Sequence, residues 1–202
     1  RRIEKISIIK EGNYSVVLNK NNLDTDESKF KGFLLESGLW SYLRQRPFSK
    51  VPDPDIRPRA IFLNMHQTSP FSLDLEHILS DHKDALISGM KLLSNLTDGD
   101  IFLSLKKGST FFDGYDLGNV KVNYFSGPHP SGNIGIQIHH IEPIGNKDDL
   151  VYHMSMQDLL SIVKTFETGE YYFDKIIACG GTGIKSPGYY QVKRGAVIKD
   201  IV

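Results

Sequence analysis

"LVYHMSMQDLLSIVKTFETG", Leu150–Gly169, decides the fold. Its first residues favour a strand and its remainder a helix, with no turn signal between them. Ser155 and Asp158 stand at capping-box spacing, Leu159, Leu160, Val163 and Phe166 fall on one helical face, and Gly169 suits the left-handed residue after a helix. A strand running straight into a helix is half of a strand–helix–strand unit, and "KIIACG" beyond Gly169 supplies a further strand.

Upstream the same alternation repeats. "AIFLN" is a buried-strand signal, "DALISGMKLLSNL" carries Leu86, Met90 and Leu93 at helical spacing before "TDGD", and "IFLSL" and "NVKVNYF" are further strands. Strands alternating with helices predict an α/β fold with a mostly parallel sheet covered by helices, because parallel strands need long crossovers. Earlier still, "DTDESKFKGFLLESG" predicts a helix with Phe30, Phe33 and Leu34 inward and Gly38 as its stop. "VPDPDIRPR", with Pro52, Pro54 and Pro58, predicts an extended surface connector. "KISIIK" and "YSVVLN" predict a hairpin within residues 1–23, and the text turns strand-like again from Pro187. Three parts follow: 1–23, 24–186 and 187–202. Strand-like ends and the lack of an initiating Met lead us to expect a piece of a longer protein.

The chain has 202 residues, 40% of them hydrophobic, which suffices for a core. Lys+Arg and Asp+Glu number 24 each, and no long basic run breaks that balance, so a nucleic-acid partner is not expected. The single cysteine, Cys179, precludes an internal disulfide or a Cys-based zinc or iron–sulfur site. No apolar run approaches the roughly 20 residues that cross a bilayer.

Chemistry-bearing motifs are weak. "GGTGIK" and "SGNIG" lack the spacing and the strand–helix context of a dinucleotide or Walker loop. His139 and His140 are adjacent and cannot readily share an ion, and His77 and His82 lack an evident third ligand, so no metal site is expected. Cys179 lies in an apolar strand and reads as a small hydrophobe, and no nucleophile elbow is present. No catalytic residue is assigned. Arg44, Arg46, Arg57 and Arg59 read equally as an anion or partner site and as a solvated rim.

Four stretches, "LLESGLWSYLRQRPFSKVPDPD", "AIFLNMHQTSPFSLDLEHIL", "FSGPHPSGNIGIQIHHIEPI" and "MQDLLSIVKTFETGEYYFDKIIACGG", resemble the NqrA family, which supplies one of the subunits of the Na+-translocating NADH:quinone reductases. The resemblance implies a Rossmann-like domain akin to the flavin-carrying subunit of respiratory complex I. It also implies an upstream barrel-sandwich domain and, from about residue 187, the start of a β-grasp (SLBB-type) domain. The related flavin-binding domains carry a glycine-rich loop before the first strand and an acidic turn after it. Here "SYLRQRPFSKV" has no glycine and "NMHQTSPF" no carboxylate. Backbone amides approach a phosphate closely only where side chains are absent, so the fold is expected to persist without FMN or NADH binding. RnfC, a related electron-transfer protein, normally has the glycine loop and cysteine clusters, both missing here.

By that resemblance the chain is a cofactor-free scaffold in a peripheral subunit on the cytoplasmic face of the bacterial inner membrane. Its partners would be the complex's other subunits, chiefly the membrane ones. NADH, the flavins and the iron–sulfur centre would be handled by those subunits, with ubiquinone as substrate of the complex and this subunit tied to the ubisemiquinone-to-ubiquinol step. The alternative is that the domain itself takes quinone or a nucleotide in its sheet crevice. His129, Pro130, His139, His140, Arg44 and Arg46 are the candidate quinone or partner contacts. "HPSGNIGIQIHHIEP" fits either a helical or a strand face by periodicity. The resemblance makes it a helix start, with Ser131 as a candidate cap and Pro143 as the stop.

Overall fold

A computed structural model describes residues 27–201, so the hairpin expected in residues 1–23 lies outside the described residues. The Leu150–Gly169 unit forms as its residues predict. Strand β5 (Val151–Ser155) passes directly into helix α5 (Met156–Thr168). Ser155 Oγ accepts the Asp158 amide at 3.1 Å and donates to Asp158 Oδ2 at 2.7 Å, while Gly169 closes the helix at φ 75°. Ahead of it lie α1 (Glu27–Glu36), β1 (Arg44–Arg46), β2 (Ile61–Asn64), α2 (Leu75–Ile78), α3 (Lys83–Leu93), β3 (Ile101–Lys106), β4 (Val120–Phe125) and α4 (Ile134–Ile141). Behind it are β6 (Asp174–Cys179) and β7 (Gly188–Lys193).

Five strands form one sheet in the order β1-β5-β2-β3-β4, all parallel except β1, which runs antiparallel to β5. The edge strand β1 lies in the glycine-free segment between Ser41 and Val51. Its short polar sequence gives little strand signal of its own. The register sorts side chains between two faces. Ile61, Ile101 and Tyr152 are paired on one face, with Leu63, Leu103 and Met154 two residues on. This face packs against α1, α3 and α5 through Phe30, Leu34, Leu86, Met90, Leu159, Val163 and Phe166. Phe166 stands edge-on to Phe30 and Phe33, with ring centroids 5.7 and 4.9 Å away. The opposite face carries Phe62, Phe102 and Val151, covered by Ile138 of α4.

"KIIACG" does form a strand, but β6 stands outside the five-stranded sheet and pairs antiparallel with β7. One edge beside β5 is already filled by β1, so β6 has no vacant place there. It docks instead on the start of α5, where the Gln157 side chain donates to the Ile176 carbonyl at 3.1 Å and accepts the Ile176 amide at 2.8 Å. The β6–β7 ladder thus joins residues on both sides of Pro187. Among the described residues no helix is long and apolar enough to cross a membrane.

Candidate functional site

The connection after β2 leads towards β3, whereas β5 lies on the other side of β2 and its chain leads into α5. Connections that part in this way leave a crevice at the carboxyl ends of the two strands. A cleft of about 890 Å³ lies there, bounded by Asn64 at the end of β2 and Met154 and Ser155 at the end of β5. Its walls are the start of α4, Gly132–Ile136, and the edge strand β1.

Alternation along β1 places Arg44 and Arg46 on one face and the buried Gln45 on the other. Arg44 is paired in register with His153, so both arginines and this histidine share the sheet face that α4 only partly covers. Arg46 donates through Nε to His153 Nε2 at 3.3 Å. Burial, and then the positive charges of Arg46 and Arg44, push the His153 imidazole down to about 4. It is therefore neutral at pH 7 and accepts from Arg46. Arg44 donates to the carbonyls of Ser41 and Leu43. Among the described residues neither arginine has a carboxylate partner.

The cleft's carboxylate is already engaged. Asp158 takes Arg194 at 2.7 Å, Lys175 at 3.7 Å and the Ser155 hydroxyl. The Arg194 guanidinium also lies over the Tyr42 ring, 4.4 Å from its centroid. Burial is the main cause holding the Tyr42 phenol above its ordinary range, and the Arg194 charge opposes it.

Behind α4 a polar network fixes the wall. The buried Gln137 donates through Nε2 to Asn64 Oδ1 at 3.1 Å, and Asn64 Nδ2 donates to the Gly132 carbonyl at 2.7 Å. The Gly132 amide donates to Thr68 Oγ1 at 2.9 Å. A Cβ at Gly132 would lie 2.5 Å from the Thr68 nitrogen and 2.8 Å from the His66 oxygen, so glycine is needed for this backbone approach. His66 Nε2 lies 3.1 Å from Ser131 Oγ, and its pKa is lowered by burial and then by Lys106.

The structure brings some expected contacts together and separates others. Arg44 and Arg46 line the cleft. His129 is exposed and outside the lining, but its Nδ1 lies 3.2 Å from Oγ1 of Thr68, which lines the cleft, and Pro130 beside it is exposed. His139 and His140 lie exposed in the last turn of α4, outside the cleft lining, with rings 5.7 Å apart. "SGNIGIQIHHI" is a helix from Ile134, but its cap position is Asn133, not Ser131. Ser131 cannot serve because its hydroxyl is spent on the Gly127 carbonyl and on His66. The four-arginine group divides as well: Arg57 pairs with Asp98 and Arg59 with Asp149 and Glu142, away from the cleft. His153, Asn64, Gln137 and Arg194 escape a reading of the sequence alone. His153 offers one signal there, its place between Tyr152 and Met154, which turns it to the other face of a strand.

No glycine occurs between Ser41 and Val51, and the side chains of Tyr42, Arg44 and Arg46 reach the cleft from that segment. These residues do not fit a flavin phosphate cradled by the backbone amides of a glycine-rich loop. Among the described residues no group of three or more histidines, cysteines or carboxylates is placed to hold a metal ion.

The chain is similar to known proteins over most of its length. The family described as NqrA second alpha/beta domain matches residues 25–171. The NqrA subunit of the Na(+)-translocating NADH-quinone reductase of Histophilus somni strain 2336 is 36% identical over 97% of this chain and 44% of its own length. That of Klebsiella pneumoniae strain MGH 78578 is 37% identical over all of this chain and 46% of its own. The chain spans less than half the length of these curated relatives. Chains in crystal structures of an NAD+-reducing NiFe hydrogenase, air-oxidized and H2-reduced, superpose with TM-scores of 0.60 and 0.58. They cover 88% of this chain and 38% and 41% of theirs, at 14% and 12% identity, a likeness of fold alone.

Proposed function

This chain belongs to the NqrA second alpha/beta domain family, and on that premise we propose that it acts as a scaffold domain in a Na+-translocating NADH–quinone reductase. The match over residues 25–171 carries this reading. The domain docks on other subunits of the complex, chiefly the membrane ones, and shapes the surroundings of quinone at the ubisemiquinone-to-ubiquinol step. It binds neither flavin nor NADH, which are handled by other subunits, and it works at the cytoplasmic face of the membrane. The side chains that fill the segment from Ser41 to Val51, where a flavin-binding relative would place its glycines, support the loss of flavin. In this reading the five-stranded unit is the Rossmann-like body and the chain beyond Pro187 opens a β-grasp domain.

The test is a complex assembled with this domain replaced by an unrelated fold. Recovery of the subunits, NADH oxidation with an artificial acceptor, and quinone reduction are then measured separately. Loss of quinone reduction and of subunit recovery, with NADH oxidation retained, is expected. Stoichiometric FMN in the purified protein would overturn the scaffold reading. A second reading, in which the domain itself takes a small molecule in its crevice, is favoured by the cleft beyond β2 and β5 and its two arginines without acidic partners among the described residues.

A further inference from the structure

We propose that the cleft between β1 and the start of α4 binds a compact oxyanion, the phosphate group of a small phosphorylated molecule, held by Arg44 and Arg46. The proposal rests on the reading in which the domain itself takes a small molecule, and it gives that ligand a chemistry. Guanidinium groups on alternate residues of one strand share a face, and a planar fork of donors matches a phosphate or carboxylate in two-point contact. The carboxylate in the lining, Asp158, is committed to Arg194, Lys175 and Ser155, so it leaves Arg44 and Arg46 uncompensated. His153 accepts the Nε proton of Arg46 while staying neutral, which orients that guanidinium without cancelling its charge. The terminal nitrogens of Arg46 remain available.

Two helices add to this field. The residues Asn133–Ile136 at the start of α4 and Ser155 at the start of α5 both line the cleft, at the positive ends of the two helix dipoles. Ser155 already takes the Asp158 amide and the Asn133 carbonyl the Ile136 amide, so the donors left for a ligand are the amides of Ile134 and Gly135. Gly135 lines the cleft, and a Cβ there would meet nothing within 4 Å. The volume, about 890 Å³, exceeds what a bare ion needs and admits a ligand of mononucleotide size. An uncharged quinone ring would leave both arginines without a counter-charge. Oxyanion binding accounts for them.

The test is a calorimetric titration of the purified protein with inorganic phosphate, diphosphate, AMP and adenosine at low and at physiological salt. Saturable binding of the phosphate-bearing ligands, weakening with salt and absent for adenosine, is expected. Arg44→Gln/Arg46→Gln should weaken it at least tenfold, Arg44→Lys/Arg46→Lys less, and Arg57→Gln, outside the cleft, not at all. AMP binding tighter than phosphate would make the source a phosphorylated metabolite, and equal affinity would make it free phosphate; both sustain the oxyanion site. Absence of saturable binding, equal binding of adenosine and AMP, or full retention in a glutamine double variant with native circular dichroism overturns it. Binding is read without other subunits, so its failure is separable from failure of the assembly reading.

Discussion

The two faces of the five-stranded sheet are built to different standards. One is sealed by α1, α3 and α5 over Ile61, Leu63, Ile101, Leu103, Tyr152 and Met154, whereas the other has α4 as its one helix among the described residues, with Ile138 buried and Ile134, Ile141 and the following Ile144 partly buried against the cluster of Phe62, Phe102 and Val151. The sealed face supplies apolar burial. The thin face leaves β1 and β5 partly uncovered, and there the chain places Arg44, Arg46 and His153. Polar groups survive in that position because they retain solvent or hydrogen-bond partners, which a close-packed layer would deny them. The sharpest way to break the contrast is Phe166→Ala. It empties a ring-sized space between Phe30 and Phe33 and should cost about 3–5 kcal/mol in urea unfolding. A loss near 1 kcal/mol would show that the three-helix layer is no better packed than the α4 side.

Next in size is an acid-dependent term confined to the thin face. The His153 imidazole titrates near 6.5 in an unfolded chain and at about 4 in the folded one. Between those values the unfolded chain holds a proton that the folded chain excludes. Stability is therefore fully present above pH 6.5, falls as pH drops, and levels off below about 4. The whole term amounts to at most roughly 3 kcal/mol. His153→Gln should flatten this part of the stability profile measured between pH 7 and 4. An unchanged slope would mean that Arg46 and burial do not hold the ring neutral.

Gly132→Ala probes the other wall. The new methyl meets the backbone at Thr68 and His66, which cannot yield as a side-chain tip can, so a loss of about 1–3 kcal/mol is expected by thermal or urea unfolding. It should also pull the start of α4 away from Asn64, changing the amide signals of Gly132–Ile136 in NMR spectra. Gly135→Ala, with open space at the same helix end, serves as the mild control.

What is legible from the residues follows the same division. The sealed face is readable because its signals are periodic and local: Leu159, Leu160, Val163 and Phe166 on α5, Leu86, Met90 and Leu93 on α3, and the caps at Ser155 and Gly169. The α/β class and mostly parallel sheet follow from that alternation. The thin face depends on tertiary placement. Nothing in "LRQRP" announces an antiparallel edge strand, since pairing with Tyr152 and His153 across more than a hundred residues decides it. Arg44 and Arg46 stand out by type as anion contacts, but only the ion pairs of Arg57 and Arg59 separate them from those two. His139 and His140 draw attention by composition and lie outside the cleft. His153, hidden in a strand, lies at it.

Helix caps give the finest test of the contrast. α5, on the sealed side, is closed by Ser155, whose hydroxyl both accepts the Asp158 amide and donates to its carboxylate. α4, on the thin side, begins at Asn133, whose exposed side chain makes no capping hydrogen bond. Losing a working cap costs typically about 1 kcal/mol, so Ser155→Ala should destabilise by that amount. Asn133→Ala removes no such bond and should cost less than about 0.5 kcal/mol. Because Asp158 keeps Arg194 and Lys175, Ser155→Ala leaves the cleft's charge balance in place. Equal losses in the two variants, measured by urea unfolding, would mean that Asn133 caps α4 in solution, and the cleft would then lose part of the open helix end that sets this face apart.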